Sequence, residues 1–386
     1  MPSLPNSAFL LWTSDFGAGH RQTALALAQA LEEMDPGGEI EVMDVRQMLH
    51  PRLYPLLKAG YRLTLEQLPV LFGQAYRMAD RYPLSVSGWY GPRVQLARLR
   101  FKALLSERSW QAIISTTGYA AMVMASFRRS GALNAPVATV ITDFYAHPYW
   151  IHPGTDLYIV GHDAVLEGLR TRGVPRERIV TTGIPIHPAF ESAAEKREAS
   201  RRSEQAEGGS TRPLRLILMG GGWGLFQDLD RLLGALDRSR IPLHLWVLTG
   251  RNAELQKALS ARPVPSPHAV QALGYLPPEA VADLFAVSDG LITKPGGVTL
   301  AEALAVGVPM FLVHALPGPE EENARLFVSL GLAETGDEHA LVRWAEKLAD
   351  PTFHEAWLTR AKPHRPKEAA RAAAKAVLRL IPTSLY

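Results

Sequence analysis

Between Thr293 and Asn323 the chain concentrates residues that can do chemistry. It reads Thr293-Lys-Pro-Gly-Gly-Val-Thr-Leu-Ala-Glu302, then Gly307-Val-Pro309, then Pro317-Gly-Pro-Glu-Glu-Glu-Asn323. Pro295, Gly296 and Gly297 predict a turn, and Val298–Val306 predicts a helix, so Thr299 falls at a helix N-terminus. Backbone N–H groups and the positive end of the helix dipole collect there, which suits a phosphate. Glu302 follows one helical turn later. The loop Pro317–Glu322 brings three carboxylates to Asn323 at the start of another helix. A phosphate cradle, a carboxylate and a polar loop for hydroxyl groups are the parts a nucleotide-sugar needs.

Two further stretches can take part. Asp15-Phe-Gly-Ala-Gly-His20 is a glycine-rich turn with a histidine at the first turn of the next helix. Two glycines clear space before His20, at the carboxyl edge of a sheet, where open α/β sheets hold ligands; the alternative is a histidine that caps or packs. The spacing lacks the third glycine of a dinucleotide fingerprint, and only Asp44 could serve the ribose, so a nicotinamide cofactor fits poorly. Gly220-Gly-Gly-Trp-Gly224 follows a second apolar run, and its glycines would let amides approach a pyrophosphate; any tight strand-to-helix turn also favours glycine. Asp143-Phe-Tyr-Ala-His147-Pro-Tyr-Trp150 crowds polar and aromatic groups at a strand end. There His147 could bond a phosphate or an acceptor and Trp150 could line an apolar groove, while Asp143 could simply cap the turn. Asp228-Leu-Asp230 is read as lying inside a helix, where residues two apart diverge, so no metal site is expected.

These residues need a scaffold. Apolar runs at 8–14, 39–43, 110–116, 136–142 and 156–160 alternate with helical patterns, as they do at 214–219, 243–248, 290–292 and 310–313. Alternation of this kind predicts parallel sheets. The 386 residues are too many for one ordinary core, and the apolar content of 47% lets two domains bury one each. The predicted boundaries are an N-terminal domain over 1–190, a linker over 191–212 with Gly208-Gly-Ser210 in it, a second domain over 213–362, and an amphipathic helix in 363–386 packing back on the first. The segment 46–108 differs from the rest: eleven Arg and Lys stand against Glu66, Asp80 and Glu107, with aromatic residues interleaved. Cationic helices with leucine and aromatic faces suit an anionic membrane surface, and a solvated basic face over an ordinary core is the alternative. No nucleic-acid module is visible.

Net charge is +3, mildly basic, and there is no cysteine, so disulfides and thiol catalysis are excluded. No secretory signal and no bilayer-spanning run is read from the sequence. The expected location is cytoplasmic, peripheral on the inner face of the membrane.

Ser14-Asp-x-Gly-x-Gly-His20 resembles the amino-terminal motif of the monogalactosyldiacylglycerol synthases and processive diacylglycerol glucosyltransferases. Thr142-Asp143 through His147 and Trp150 resembles their mid-chain motif, and Thr182-Gly-Ile-Pro-Ile-His187 their domain-closing segment. Lys294-Pro-Gly-Gly-x-Thr-x-x-Glu302 with Pro317-Gly318-x-Glu320-x-x-Asn323 resembles their donor-sugar site. That family is glycosyltransferase family 28. The resemblance implies an α/β protein of GT-B type, two Rossmann-like open parallel-sheet domains facing a cleft. It implies inverting, metal-independent transfer of a hexose (galactose or glucose) from a UDP-sugar to diacylglycerol, with no cofactor. His20 would be the general base. Gly19, Gly221, Gly222, Trp223, Gly224, Tyr275, Lys294, Gly296, Gly297, Thr299, Glu302, Glu320, Glu321 and Asn323 would meet the nucleotide-sugar, with Glu302 on the ribose. Asp143, His147 and Trp150 would meet the acceptor. Pro319 stands where the family usually has glutamine. N-acetylglucosaminyl transfer to a polyprenyl-linked lipid and UDP-sugar epimerisation on the same fold are the rival readings.

Overall fold

The computed structural model describes residues 8–15, 18–45, 47, 51–81, 101, 105, 108–206, 212–222, 224, 226 and 228–381. Two compact units result. One comprises Met1–Ile186, Leu316–Pro319 and Glu368–Tyr386, and the other His187–Ala315 and Glu320–Lys367.

The first unit is built on a six-stranded sheet in the order β2-β1-β3-β4-β5-β6. Its strands are β1 (Ala8–Thr13), β2 (Glu39–Asp44), β3 (Ala112–Ser115), β4 (Val137–Val140), β5 (Leu157–Val160) and β6 (Ile179–Thr181), paired in parallel throughout. Every residue of β1, β3, β4 and β5 is buried. Parallel strands need cover on both faces, which is why they read as continuous apolar runs. The helices are α1 (Ala18–Met34), α2 (Tyr54–Gln67), α3 (Pro69–Arg81), α4 (Gly118–Arg129) and α5 (Asp163–Thr171). On α1 the residues Ala24, Leu27, Ala30 and Leu31 are buried at helical spacing. They share one core with Ala370, Ala373, Ala374 and Val377 of the C-terminal helix Ala369–Leu378. Small side chains on both helices allow close approach.

The second unit opens with α6 (Ala189–Ala206), whose Arg197 is buried and donates to the carbonyls of Phe285, Ser288 and Gly307. Its sheet runs β12-β11-β10-β7-β8-β9, with β7 (Leu214–Met219), β8 (Leu243–Gly250), β9 (Ala269–Gly274), β10 (Gly290–Thr293), β11 (Met310–Leu312) and β12 (Ala333–Thr335), again parallel. The helices are α7 (Leu229–Leu236), α8 (Ala253–Ser260), α9 (Pro278–Val287), α10 (Gly297–Val306), α11 (Pro319–Ser329), α12 (Glu338–Lys347) and α13 (Pro351–Ala361).

Each sheet reverses its strand order once, between β1 and β3 in the first and between β7 and β10 in the second. At such a point the connections after the two strands leave toward opposite faces, and open α/β sheets hold their ligands outside the carboxyl ends there.

Two expectations need correction or placement. Asp228 does not lie inside a helix: it precedes α7 with φ +50°, and the helix begins at Leu229. The glycines of the linker at 208 and 209, Trp223, and most of the segment 82–107 lie outside the described residues.

Candidate active site

The turn that carries His20 falls at the first sheet's switch point, and the Gly221 turn and the start of α10 fall at the second's. In the first unit the turn after β1 leads into α1, and His20 is the third residue of that helix. Two threonines just beyond neighbouring strands hold it, and a third supports one of them. The Thr116 hydroxyl lies 3.0 Å from Thr13 Oγ1 and 3.0 Å from the His20 carbonyl, to which it can donate. Thr142 Oγ1 lies 3.0 Å from His20 Nδ1. The Trp150 ring centre is 6.1 Å from that of His20. Gly19 belongs to this unit too, in the first turn of α1.

Asp44 is engaged by protein groups. One carboxylate oxygen accepts from the Asp15 N–H at 2.7 Å and from the Tyr54 hydroxyl at 2.8 Å. It ties the glycine turn to β2 and α2, a use unlike that of a ribose-binding acid.

The expected acceptor residues are placed differently. His147 is buried, and both ring nitrogens are used inside the protein: Nδ1 accepts from the Tyr149 N–H at 3.1 Å, and Nε2 lies 3.0 Å from the Tyr76 carbonyl. Its ring stacks on Tyr76 at 3.8 Å. Burial holds its pKa below the ordinary histidine value, which favours the neutral ring. His147 therefore pins α3 instead of presenting itself to a ligand. Trp150 is a core residue that packs with Ile141, Val160 and Leu166, and it donates from Nε1 to Asp143 at 3.2 Å. Tyr145 adds a second anchor, donating to Asp80 at 2.8 Å, where Arg172 also pairs at 2.7 Å.

The second unit gathers the expected donor residues, apart from Gly19 and the undescribed Trp223. Gly221 and Gly224 have φ +76° and +60°, a region that favours glycine. A Cβ on Gly224 would stand 1.9 Å from the Thr249 carbonyl oxygen, whereas one on Gly296 would meet nothing within 4 Å. Gly222 lies in the same turn as Gly221. Lys294 and Glu320 pair at 3.5 Å. Gly296 caps α10 with no side-chain hydrogen bond, and Gly297 is the first helical residue. Along α10 only Thr299 and Glu302 are not fully buried, three residues apart and three beyond Gly296. They form one stripe running from the helix N-terminus.

Part of Glu302 reaches the surface, yet its carboxyl is enclosed, and burial pushes its pKa up to about 8. Asn323 is buried and donates from Nδ2 to the Pro295 carbonyl at 3.1 Å, so it supports the Pro-Gly-Gly turn. Glu321 lies in the first turn of α11 beside Glu320. Tyr275 is 51% exposed, with the Arg251 guanidinium 5.3 Å from its ring centre. Among the described residues no group of three or more His, Asp or Glu could hold a metal ion.

Sequence reading missed Arg251 and His314. His314 follows β11 with φ +48°, and burial lowers its pKa. Its place after a buried strand and before a Pro-Gly loop was the available signal.

The comparisons with known proteins concern the family and the fold. The family model described as monogalactosyldiacylglycerol (MGDG) synthase matches residues 20–186. A processive diacylglycerol beta-glucosyltransferase of Bacillus cytotoxicus is 31% identical over 341 residues, covering 86% of this chain and 82% of the relative. One from Bacillus cereus is 30% identical over 340 residues, with the same coverage. Among solved structures, MurG of Acinetobacter baumannii aligns with a TM-score of 0.65 at 16% identity, over 97% of this chain and all of that one. UDP-GlcNAc 2-epimerase of Neisseria meningitidis, bound to UDP-GlcNAc, aligns at 0.56 and 11% identity, over 97% of this chain and 99% of that one. The structural likeness establishes a fold of GT-B type.

Proposed function

We propose that the chain, which belongs to the family of monogalactosyldiacylglycerol synthases and processive diacylglycerol glucosyltransferases, transfers a hexose from a UDP-sugar to diacylglycerol. The observation that carries this reading is the position of each motif at a sheet's switch point: the histidine turn in one unit, the glycine turns and α10 in the other. The hexose is galactose or glucose, and transfer inverts the anomeric centre.

The chemistry follows from the groups at hand. The acceptor hydroxyl attacks the anomeric carbon and gives its proton to His20. The bond to the diphosphate oxygen breaks, and UDP leaves with the electron pair. A histidine suits this base role because its ordinary pKa lies near working pH. The backbone N–H groups at the start of α10, the turn at Gly221 and Gly222, and Lys294 stabilise the charge on the leaving diphosphate. Glu302 receives the ribose hydroxyls, and Glu320 and Glu321 those of the sugar.

Diacylglycerol is reached in a bilayer, and α2 and α3 support that. Leu53, Leu56, Leu57, Leu63, Leu68, Val70, Leu71 and Met78 are all exposed on this one helical pair, Leu56 by 71%. Arg52, Lys58, Arg77 and Arg81 lie among them, and Asp80 pairs with Arg172. Apolar residues flanked by cations fit an anionic lipid surface. Among the described residues no helix is long and apolar enough to cross a membrane; peripheral attachment at the inner face is part of this proposal and rests on the exposed face of α2 and α3.

The test is incubation of the purified protein with diacylglycerol liposomes and a panel of UDP-hexoses, followed by mass spectrometry of the lipid extract. A gain of one hexose on diacylglycerol with one donor is the expected result. Bound UDP without glycolipid from any donor would overturn the acceptor assignment.

A further inference from the structure

The reading of His20 as the base leaves open what orients its ring. A histidine that accepts a proton at one nitrogen must donate from the other, and a neighbour that accepts there stabilises the imidazolium and fixes the ring. Aspartate commonly fills this place in enzymes that use a histidine base. Asp143, next to Thr142 in the chain, accepts from Trp150 Nε1 at 3.2 Å. The group at His20 Nδ1 is the Thr142 hydroxyl, at 3.0 Å.

Thr142 is well placed for the task. It is only 4% exposed, two residues beyond the end of β4, at the same carboxyl edge as Thr13 and Thr116. Thr116 holds the His20 backbone, so the remaining freedom of the residue is rotation of its side chain. A bond at Nδ1 removes that freedom and sets the direction in which Nε2 points. The segment that supplies Thr142 is itself anchored by His147 on the Tyr76 carbonyl and by Tyr145 on Asp80.

We propose that Thr142 is a positioning residue for the reaction: its hydroxyl oxygen accepts from Nδ1–H of His20 and holds Nε2 toward the acceptor. This inference rests on the assignment of His20 as base. In the transfer step the acceptor proton goes to Nε2, the new C–O bond forms, the bond to the diphosphate breaks with its electrons leaving on UDP, and Thr142 keeps its own proton throughout.

Three full-chain variants test it: Thr142→Val, which keeps shape and removes the hydroxyl, Thr142→Ser, which restores it, and His20→Ala. Steady-state kinetics on diacylglycerol liposomes should give Thr142→Val a kcat lower by roughly 10- to 100-fold, the factor of one hydrogen bond to a charged group, with KM for the UDP-hexose unchanged. Thr142→Ser should return to within a few-fold of wild type. In protein carrying 15N-labelled histidine, the His20 ring signal is identified by its loss in His20→Ala. It should report one tautomer in wild type and Thr142→Ser, and a mixture in Thr142→Val. A Thr142→Val enzyme with wild-type kcat, or a Thr142→Ser enzyme as slow as it, would overturn the proposal while an inactive His20→Ala upheld the base. An active His20→Ala enzyme would remove the base and this role of Thr142 together. An unchanged tautomer in Thr142→Val would overturn the orienting bond on its own.

Discussion

Glu302 gives the sharpest quantitative test of the donor half-site. Its carboxyl is pushed from an ordinary value of 4.5 to about 8 by burial alone. The folded chain therefore keeps this proton over a pH range in which the unfolded chain has lost it. Stability from this group is greatest below pH 4.5 and declines as pH rises toward 8, by at most about 5 kcal/mol at ~1.4 kcal/mol per pH unit. Ribose hydroxyls donating to the carboxylate would favour its ionised form and reverse the effect of burial. At pH 7 a group with a pKa of about 8 is roughly nine-tenths protonated, so UDP binding should release close to ~0.9 proton. UDP affinity should then rise roughly tenfold between pH 7 and pH 9. Titration calorimetry in buffers of different ionisation enthalpy counts the protons directly. Glu302→Gln supplies the baseline, since it titrates nothing at this position and retains only the protons released by UDP and other groups. Equal proton release and equal pH slopes in the two proteins would refute both the raised pKa and the ribose contact.

The remaining predictions address other parts of the fold. His20→Ala should lower kcat by roughly 10²- to 10⁴-fold while calorimetric UDP affinity stays the same. Gly224→Ala should cost on the order of 2 kcal/mol or more, read as earlier thermal unfolding, because its φ of +60° is strained for alanine and the added Cβ meets the Thr249 carbonyl. Aspartate at Leu56, Leu63 and Leu71 together should reduce cosedimentation with anionic liposomes at least tenfold, given ~1 kcal/mol or more per lost leucine contact, and leave UDP binding intact.

Much of this architecture was legible because buried parallel strands cannot hide. Ala8–Thr13 and Leu214–Met219 are nearly continuous apolar runs for the reason that both faces are covered. Glycine turns followed by helix starts were legible for a similar reason, since Gly296 and Gly297 punctuate the chain at the point where α10 begins. Partners distant in sequence were not legible. His147 looked like a ligand group because its neighbours are polar, but its use is decided by Tyr76, 71 positions away. Asn323 sits in a motif rich in hydroxyl-binding groups and turns inward to a carbonyl 28 positions back. Helix α7 starts later than its apolar pattern predicts because Asp228 takes a left-handed conformation, which aspartate adopts more readily than most residues but which its neighbours in sequence do not announce.

Pro319 narrows how the sugar can be recognised. It is the first residue of α11, directly after Gly318 with φ +109°. Proline there fixes φ for the helix and sacrifices an N–H that would have no helical partner. The position thus gains a rigid helix start in place of the side-chain amide that the family's glutamine would provide. Three carboxylates follow in the first turn, where the helix dipole favours them. Glu320 is paired with Lys294, and Asn323 is committed to the Pro295 carbonyl. A carboxylate can only accept, so in the proposed complex this loop would meet sugar hydroxyls as donors and read them by the position of its oxygens. Discrimination between an axial and an equatorial hydroxyl then depends on how firmly Glu320 is held, and the Lys294 ammonium that holds it also faces the diphosphate in the proposed complex. Donor choice and leaving-group stabilisation would accordingly share one cation.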